Sequence, residues 1–169
     1  MESKAEIRKN MINHLKNFDL DEKKQQTRII LQNLTDSSNW QRTKTVGLYM
    51  ATPMEFDLTT LFASDKRILI PKCLPKRQMM FAHYEPEHLT RSAFGLLEPD
   101  GLAEEVPDFI LVPGLAWNGN GFRVGFGGGY YDRYLAKFDG ATASVFYDFQ
   151  AVEFSAETHD IAVQELFTT

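Results

Sequence analysis

Only one cysteine, Cys73, stands among the 169 residues, so no disulfide can form within the chain and nothing ties it to an oxidising compartment. Long apolar runs are missing as well. The longest, such as Ile68-Leu69-Ile70 and Phe109-Ile-Leu-Val112, fall far short of the roughly 20 residues a membrane-spanning helix needs. Positive charge is not in excess: 18 Lys and Arg stand against 23 Asp and Glu, a net charge of −5. That balance offers no overall attraction to nucleic acid or to an anionic membrane surface. The opening Met1-Glu-Ser-Lys-Ala-Glu-Ile-Arg8 alternates charge where a secretory signal would carry an apolar core. His14, His83 and His88 show no metal-ligand spacing. The expectation is a cytoplasmic protein, monomeric, with neither nucleic acid nor membrane as partner.

What is present reads as one domain spanning residues 1–169, with 43% hydrophobic and 24% charged residues and enough length to bury a core. Ile7, Met11, Leu15 and Phe18 fall on one helical stripe, and a second helix over 21–34 buries Ile30, Leu31 and Leu34, with Asp19 and Glu22 as a capping box. Short apolar runs at 45–50, 67–71, 79–84, 109–112, 142–147 and 161–167 read as strands. A helical stretch lies around Trp40, and Asp57 caps a helix through Leu58, Leu61 and Phe62. Strands alternating with helices predict an α/β domain with a largely parallel sheet, whose ligands sit beyond the carboxyl ends of the strands.

The densest signal is residues 112–135, Val112-Pro-Gly-Leu-Ala-Trp117-Asn-Gly-Asn-Gly-Phe-Arg123-Val-Gly-Phe-Gly-Gly-Gly129-Tyr-Tyr-Asp132-Arg-Tyr-Leu135. Seven of the chain's 11 glycines stand here, interleaved with aromatic, cationic and acidic side chains, which is not a linker composition. Glycine lets backbone approach a ligand, and consecutive N–H groups in such turns attract anions. Tyr131, Tyr134, Leu135 and Phe138 then mark one face of a helix, so the glycines lead to a helix N-terminus with no side chain to cap it. These features predict a phosphate loop. It is neither of two familiar kinds: no Lys-Ser or Lys-Thr comes after a glycine, and G-x-G-x-x-G fails at Tyr130 or at Asp132.

From Val112 to Leu135 the stretch resembles the hallmark of the 5-formyltetrahydrofolate cyclo-ligases, also called methenyltetrahydrofolate synthetases. The similarity is tight there and looser over the rest of the chain. It implies a three-layer α/β architecture akin to the NagB/RpiA/CoA-transferase group. It also implies closure of 5-formyltetrahydrofolate to 5,10-methenyltetrahydrofolate, with ATP and Mg²⁺ required and ADP and phosphate released. Alone, Lys4 and Arg8 are an i, i+4 pair on a solvated helix face. The resemblance makes them nucleotide contacts, together with Arg123, Val124, Gly125, Phe126, Gly127, Gly128, Gly129, Tyr130 and Tyr131.

On the folate side the resemblance implies Glu55, in Glu55-Phe-Asp-Leu58, with Met50, Trp117, Phe126, Tyr130 and the glycines 127–129. Read without it, Glu55 is a solvated or capping carboxylate and Met50 is core. Asp132 would hold Mg²⁺; its other reading is a first-turn helix carboxylate paired with an arginine. Gly95-Leu-Leu-Glu98-Pro99 reads as a structural turn, Cys73 as an unreactive core thiol, and His159-Asp160 as a dipeptide common in the family without an assigned chemical role.

Four positions depart from the family pattern: Asn118, Phe126, Gly128, and Gln164 where some members place a second acidic Mg²⁺ ligand. A neutral amide can still coordinate through its oxygen. A folate-sequestering protein of the same fold with little turnover therefore stands as the alternative.

Overall fold

Ser3 Oγ accepts the N–H of Glu6 at 3.2 Å and Asp19 Oδ2 accepts that of Glu22 at 3.0 Å, and these side-chain caps start the first two helices. In the computed structural model, which describes residues 2–101 and 103–169, the helices are α1 (Lys4–Lys16), α2 (Leu20–Asp36), α3 (Ser38–Arg42) and α4 (Tyr130–Leu135). The strands are β1 (Thr45–Gly47), β2 (Arg67–Leu74), β3 (Gln78–His83), β4 (Leu89–Arg91), β5 (Leu97–Pro99), β6 (Phe109–Leu111), β7 (Ala116–Trp117), β8 (Arg123–Val124), β9 (Ala141–Val145) and β10 (Glu165–Phe167). Six of them make one sheet in the order β10-β9-β6-β1-β2-β3. Every pairing in it is parallel except the β2–β3 hairpin.

Period-two alternation builds the layers. Val46, Ile68, Ile70, Phe109, Leu111, Ala143 and Val145 point to one face, where they meet Ile30, Leu31 and Leu34 of α2 and Trp40 of α3. Leu69, Phe81, Ile110 and Val112 point to the other, beneath Leu135 of α4 and Val163. Both faces of the parallel strands are thus covered, which explains why they read as continuous apolar runs. Each fully buried leucine here contributes roughly 2 kcal/mol by burial alone. Gly47 is needed for close packing, because a Cβ there would meet Phe81 Cε1 at 2.9 Å. Helix α1 lies apart from the sheet: its Ile7 and Met11 pack on Leu115, Ala116 and Val124 of the β7–β8 hairpin and on Phe154.

Several boundaries differ from the sequence-based expectations. The strand over 45–50 is laddered only through Gly47; after Leu48 donates to Leu69 O, the chain leaves the sheet. The run over 67–71 extends to Leu74 because β3 pairs with it throughout, which brings Cys73 into the ladder. Asp57 accepts the N–H of Thr59, yet the element it introduces is a short 3-10 turn, Thr59–Ala63, not an α-helix. Residues 95–99 are not one turn: Ser92 and Gly95 make the turn and Leu97–Pro99 is β5. The terminal strand is narrower than 161–167, and α4 has 6 residues, too short for a strong macrodipole. No helix among the described residues is long and apolar enough to cross a membrane.

Candidate active site

Where the parallel strands end, β1 and β6 hand the chain to the turns carrying Tyr49, Met50, Thr52, Glu55 and Pro113, and these open on a cavity of about 500 Å³. Helix α1 contributes Lys4 and Arg8, β2 and β3 contribute Cys73 and Met79, and the glycine loop contributes Gly125 through Asp132. Two sides were not anticipated. The β4–β5 hairpin supplies Phe94, Leu96, Leu97 and Glu98, and the segment before β10 supplies His159 and Asp160. An apolar residue at the tip of a turn, Phe94 at 71% exposure, is the signal that could have found the first.

The glycine loop is held by its neighbours. Arg8 Nε donates to Gly125 O at 2.8 Å, and Arg133 Nη1 to Gly128 O at 3.2 Å. Gly127 and Gly129 have φ of 101° and 73°, a left-handed region that favours glycine. Gly129 starts α4 with no side-chain cap, so the anticipated bare N–H groups are there, though on a short helix. Gly121 serves packing instead: its carbonyl accepts the Val163 N–H, and a Cβ there would run into Val163 O. Asn118 is likewise structural, its Oδ1 accepting the N–H groups of Asn120 and Phe122 to shape the β7–β8 turn.

Charges pair across long sequence distances. Lys4 Nζ bonds Asp160 Oδ2 at 2.9 Å and Glu157 Oε1 at 3.1 Å, tying α1 to the C-terminal segment. Burial works against the Asp160 carboxylate, but the Glu157 N–H and Lys4 outweigh it and hold its pKa below the usual value. Arg123 is buried; its Nε donates to Pro113 O at 2.9 Å and its Nη1 to Asp132 Oδ1 at 3.0 Å. Asp132 Oδ1 also accepts the Ile161 N–H at 3.2 Å. Arg123 therefore meets the aspartate at the cavity wall.

The folate-side residues separate. Glu55 Oε1 accepts the Thr52 N–H at 2.9 Å, and burial raises the Glu55 pKa against that bond. Met50, Phe126 and Tyr130 line the cavity. Trp117 does not: it is 2% exposed and stacked on Phe146 with ring centroids 4.8 Å apart, so its aromatic face belongs to the core. Val124 is buried beneath α1 and reaches the cavity through its neighbours alone.

Gln164 is also elsewhere. Its Oε1 accepts the Thr142 N–H at 3.3 Å and its own N–H donates to Thr142 Oγ1 at 3.0 Å, so it is bonded to β9 and does not line the cavity. Cys73 is half-buried at the cavity wall, not in the core. Burial, with Glu98 beside it, pushes its thiol up to about 11, which keeps it unreactive at neutral pH. Glu98 accepts the Cys73 N–H at 2.8 Å and so pins β5 to β2.

Of the cavity's carboxylates, Glu55, Glu98 and Asp160 are engaged by the Thr52 N–H, the Cys73 N–H and Lys4, which leaves Asp132 as the one a divalent cation would find. Among the described residues no three His, Cys, Asp or Glu side chains gather to hold a metal. Asp132 lines the cavity and has its Oδ1 engaged by Arg123 and the Ile161 N–H. One hard oxygen suits Mg²⁺ that takes its remaining ligands from phosphates and water, so the residues fit a nucleotide-borne ion better than a protein-held one.

The sequence model of the 5-formyltetrahydrofolate cyclo-ligase family matches residues 1–169. A probable 5-formyltetrahydrofolate cyclo-ligase of Schizosaccharomyces pombe is 34% identical over 122 residues, 64% of this chain and 60% of the relative. A 5-formyltetrahydrofolate cyclo-ligase of Mycolicibacterium smegmatis is 36% identical over 128 residues, 66% of this chain and 64% of the relative. The matched segments thus span less than two thirds of either relative. Among solved structures, a 5,10-methenyltetrahydrofolate synthetase of Aquifex aeolicus superimposes with a TM-score of 0.85 at 32% identity, covering 98% of this chain and 89% of that one. One from Mycoplasma pneumoniae gives 0.76 at 23% identity, with 98% of each chain covered, and shares the fold.

Proposed function

Because the chain belongs to the 5-formyltetrahydrofolate cyclo-ligase family, we propose that it closes 5-formyltetrahydrofolate to 5,10-methenyltetrahydrofolate, with ATP converted to ADP and phosphate. One observation carries the reading: one cavity is lined by the glycine loop, by Lys4 and Arg8, and by the half-buried Glu55 with apolar neighbours. A phosphate donor and a flat, partly polar heterocycle can therefore meet in one cavity. Residues 1–169 act as one unit in this reading, on small molecules alone.

The chemistry explains the need for both halves. A formamide carbon is a poor electrophile and its oxygen a poor leaving group. Attack of that oxygen on the γ-phosphorus expels ADP and gives an iminophosphate, in which the carbon is activated and the oxygen leaves as phosphate. N10 then attacks the carbon, the C–O bond breaks, and N10 loses its proton. The protein supplies placement and electrostatics, as in other phosphoryl transfers.

Loop N–H groups over 125–129, with Lys4 and the outer nitrogens of Arg8, bind the phosphates. Lys4 exchanges Asp160 for phosphate as it does so. Arg123 acts through Asp132, bracing the carboxylate that would hold Mg²⁺, and the ion would offset phosphate charge there. Glu55 accepts hydrogen bonds from the pterin, and Met50, Met79, Phe94, Leu96, Phe126 and Tyr130 exclude water around it.

Absorbance at the methenyl-folate band tests this directly, with 5-formyltetrahydrofolate mixed with the protein in the presence and absence of MgATP. Growth of the band only with MgATP supports the proposal. Calorimetric binding of the folate without product would replace it by the sequestering reading.

A further inference from the structure

Tyr131 follows directly on the glycine loop and lines the same cavity as Glu55. Its ring packs against the apolar cluster beneath α4, and the Arg123 guanidinium lies 5.9 Å from the ring centroid. The hydroxyl oxygen is buried and has no hydrogen-bond partner among the described residues. Ser64, Trp117 and Thr168 carry the other such orphaned atoms, and none of these residues lines the cavity, whereas Tyr131 does. Buried hydroxyls in folded proteins nearly always have a partner, so an orphan at a cavity wall marks where a ligand atom completes the bond.

The surroundings select the ligand atom. Glu55, Arg123 and Cys73 are the ionisable groups whose fields reach this hydroxyl. Glu55 Oε1 is taken by Thr52, and Arg123 is taken by Pro113 and Asp132. A phenol at neutral pH is an O–H donor. With no acceptor for its proton among the described residues, the Tyr131 hydroxyl would donate to a ligand acceptor, which in the cyclo-ligase reading lies in the interval between phosphates on the glycine loop and a pterin at Glu55. In 5-formyltetrahydrofolate one acceptor must occupy that interval for the reaction to occur, namely the formyl oxygen.

We propose that the Tyr131 hydroxyl donates to the formyl oxygen of the bound folate and holds it toward the glycine loop. The proposal rests on the cyclo-ligase reading above and moves Tyr131 from the nucleotide to the folate. One lone pair of the oxygen accepts the Tyr131 proton while the other remains for phosphorus, so the tyrosine positions the nucleophile without gaining or losing a proton.

The test compares 5-formyltetrahydrofolate with 5-methyltetrahydrofolate, which lacks that oxygen, by calorimetry without ATP, in the wild type and in Tyr131→Phe. The variant should bind the formyl compound roughly tenfold more weakly, the size expected for one lost neutral hydrogen bond. Its affinity for the methyl compound and for ATP should be unchanged, and it should melt at or above the wild-type temperature, since an orphaned hydroxyl is removed. Equal weakening for both folates, weakening for ATP alone, no weakening, or a lower melting temperature would each overturn the assignment while leaving the cyclo-ligase reading intact. Failure of the wild type to bind 5-formyltetrahydrofolate would overturn both.

Discussion

Arg123 and Asp132 meet through Nη1 and Oδ1 at 3.0 Å, with their side chains 6% and 20% exposed. Both belong to the glycine-rich stretch, and the fold has turned one toward the other. The pair is the arginine partnership that, on sequence alone, rivals a metal role for Asp132. Oδ1 serves the pair, so the metal role proposed for Asp132 would fall to its other oxygen.

Asp132→Ala leaves a buried guanidinium unpaired, and should cost about 3 kcal/mol of stability as well as MgATP-dependent turnover. Asp132→Asn keeps an Oδ1 acceptor for Arg123 and Ile161 but not the charge, so its unfolding free energy should lie between those of Asp132→Ala and wild type while turnover collapses. Chemical denaturation read beside the methenyl absorbance assay separates the two. An active Asp132→Asn enzyme would remove the metal assignment.

Gln164 is bonded to Thr142 on the β9 edge and does not line the cavity. Gln164→Ala should therefore leave the Mg²⁺ dependence of turnover unchanged within about twofold, an effect too small for a lost metal ligand. A marked rise in the Mg²⁺ required for half-maximal rate would return this residue to the metal site.

Glu55 carries a pKa raised by burial, so its folded form binds a proton more tightly than its unfolded form. For a carboxylate raised in this way, stability falls as pH rises from the unfolded value through the folded one, and the ionised group is a burden above that window. Glu55→Gln should thus melt at or above the wild type at pH 7, an advantage that disappears as the pH is lowered below the ordinary carboxylate range. Folate affinity should drop at least about tenfold, as for a lost charge-assisted bond. A less stable variant at neutral pH would contradict the burial argument.

Lys4→Ala and Arg8→Ala should raise the KM for ATP by about tenfold or more and change that for folate by less than about twofold. The Asp160 partner adds a pH signature. Its folded pKa is lowered, so the stability it contributes is complete above the unfolded value near 4 and is lost as pH falls through the folded one. The acid limb of the wild-type stability curve should therefore be steeper than that of Asp160→Asn. Matching limbs would mean that the Lys4 bridge is not held in solution.

Much of the fold was legible in the chain. The period-two runs around Ile68, Ile110 and Ala143, the caps at Asp19 and Asp57, and the glycines before Tyr130 report local backbone preference, which neighbouring residues set by themselves. Likewise the glycine loop, Lys4, Arg8 and Glu55 were recognisable because each sits in a short pattern of fixed spacing, and the structure brings all of them to one cavity. Local signals were weaker at element ends. The predicted helix after Asp57 became a 3-10 turn, and the turn over 95–99 became a strand, because pairing with β4 outweighed local preference.

Pattern along the chain was enough for the α/β alternation, the uncapped glycine loop and the family to which the chain belongs. Only the tertiary structure decided what each side chain faces. Trp117 turned to Phe146, Gln164 to Thr142, Arg123 to Asp132, and Lys4 to Asp160 across 156 residues. Spacing along a chain sets the direction in which a side chain leaves its own backbone. Which partner it meets, and whether water still reaches it, depends on other segments arriving at the same place, and a linear pattern carries no record of that arrival.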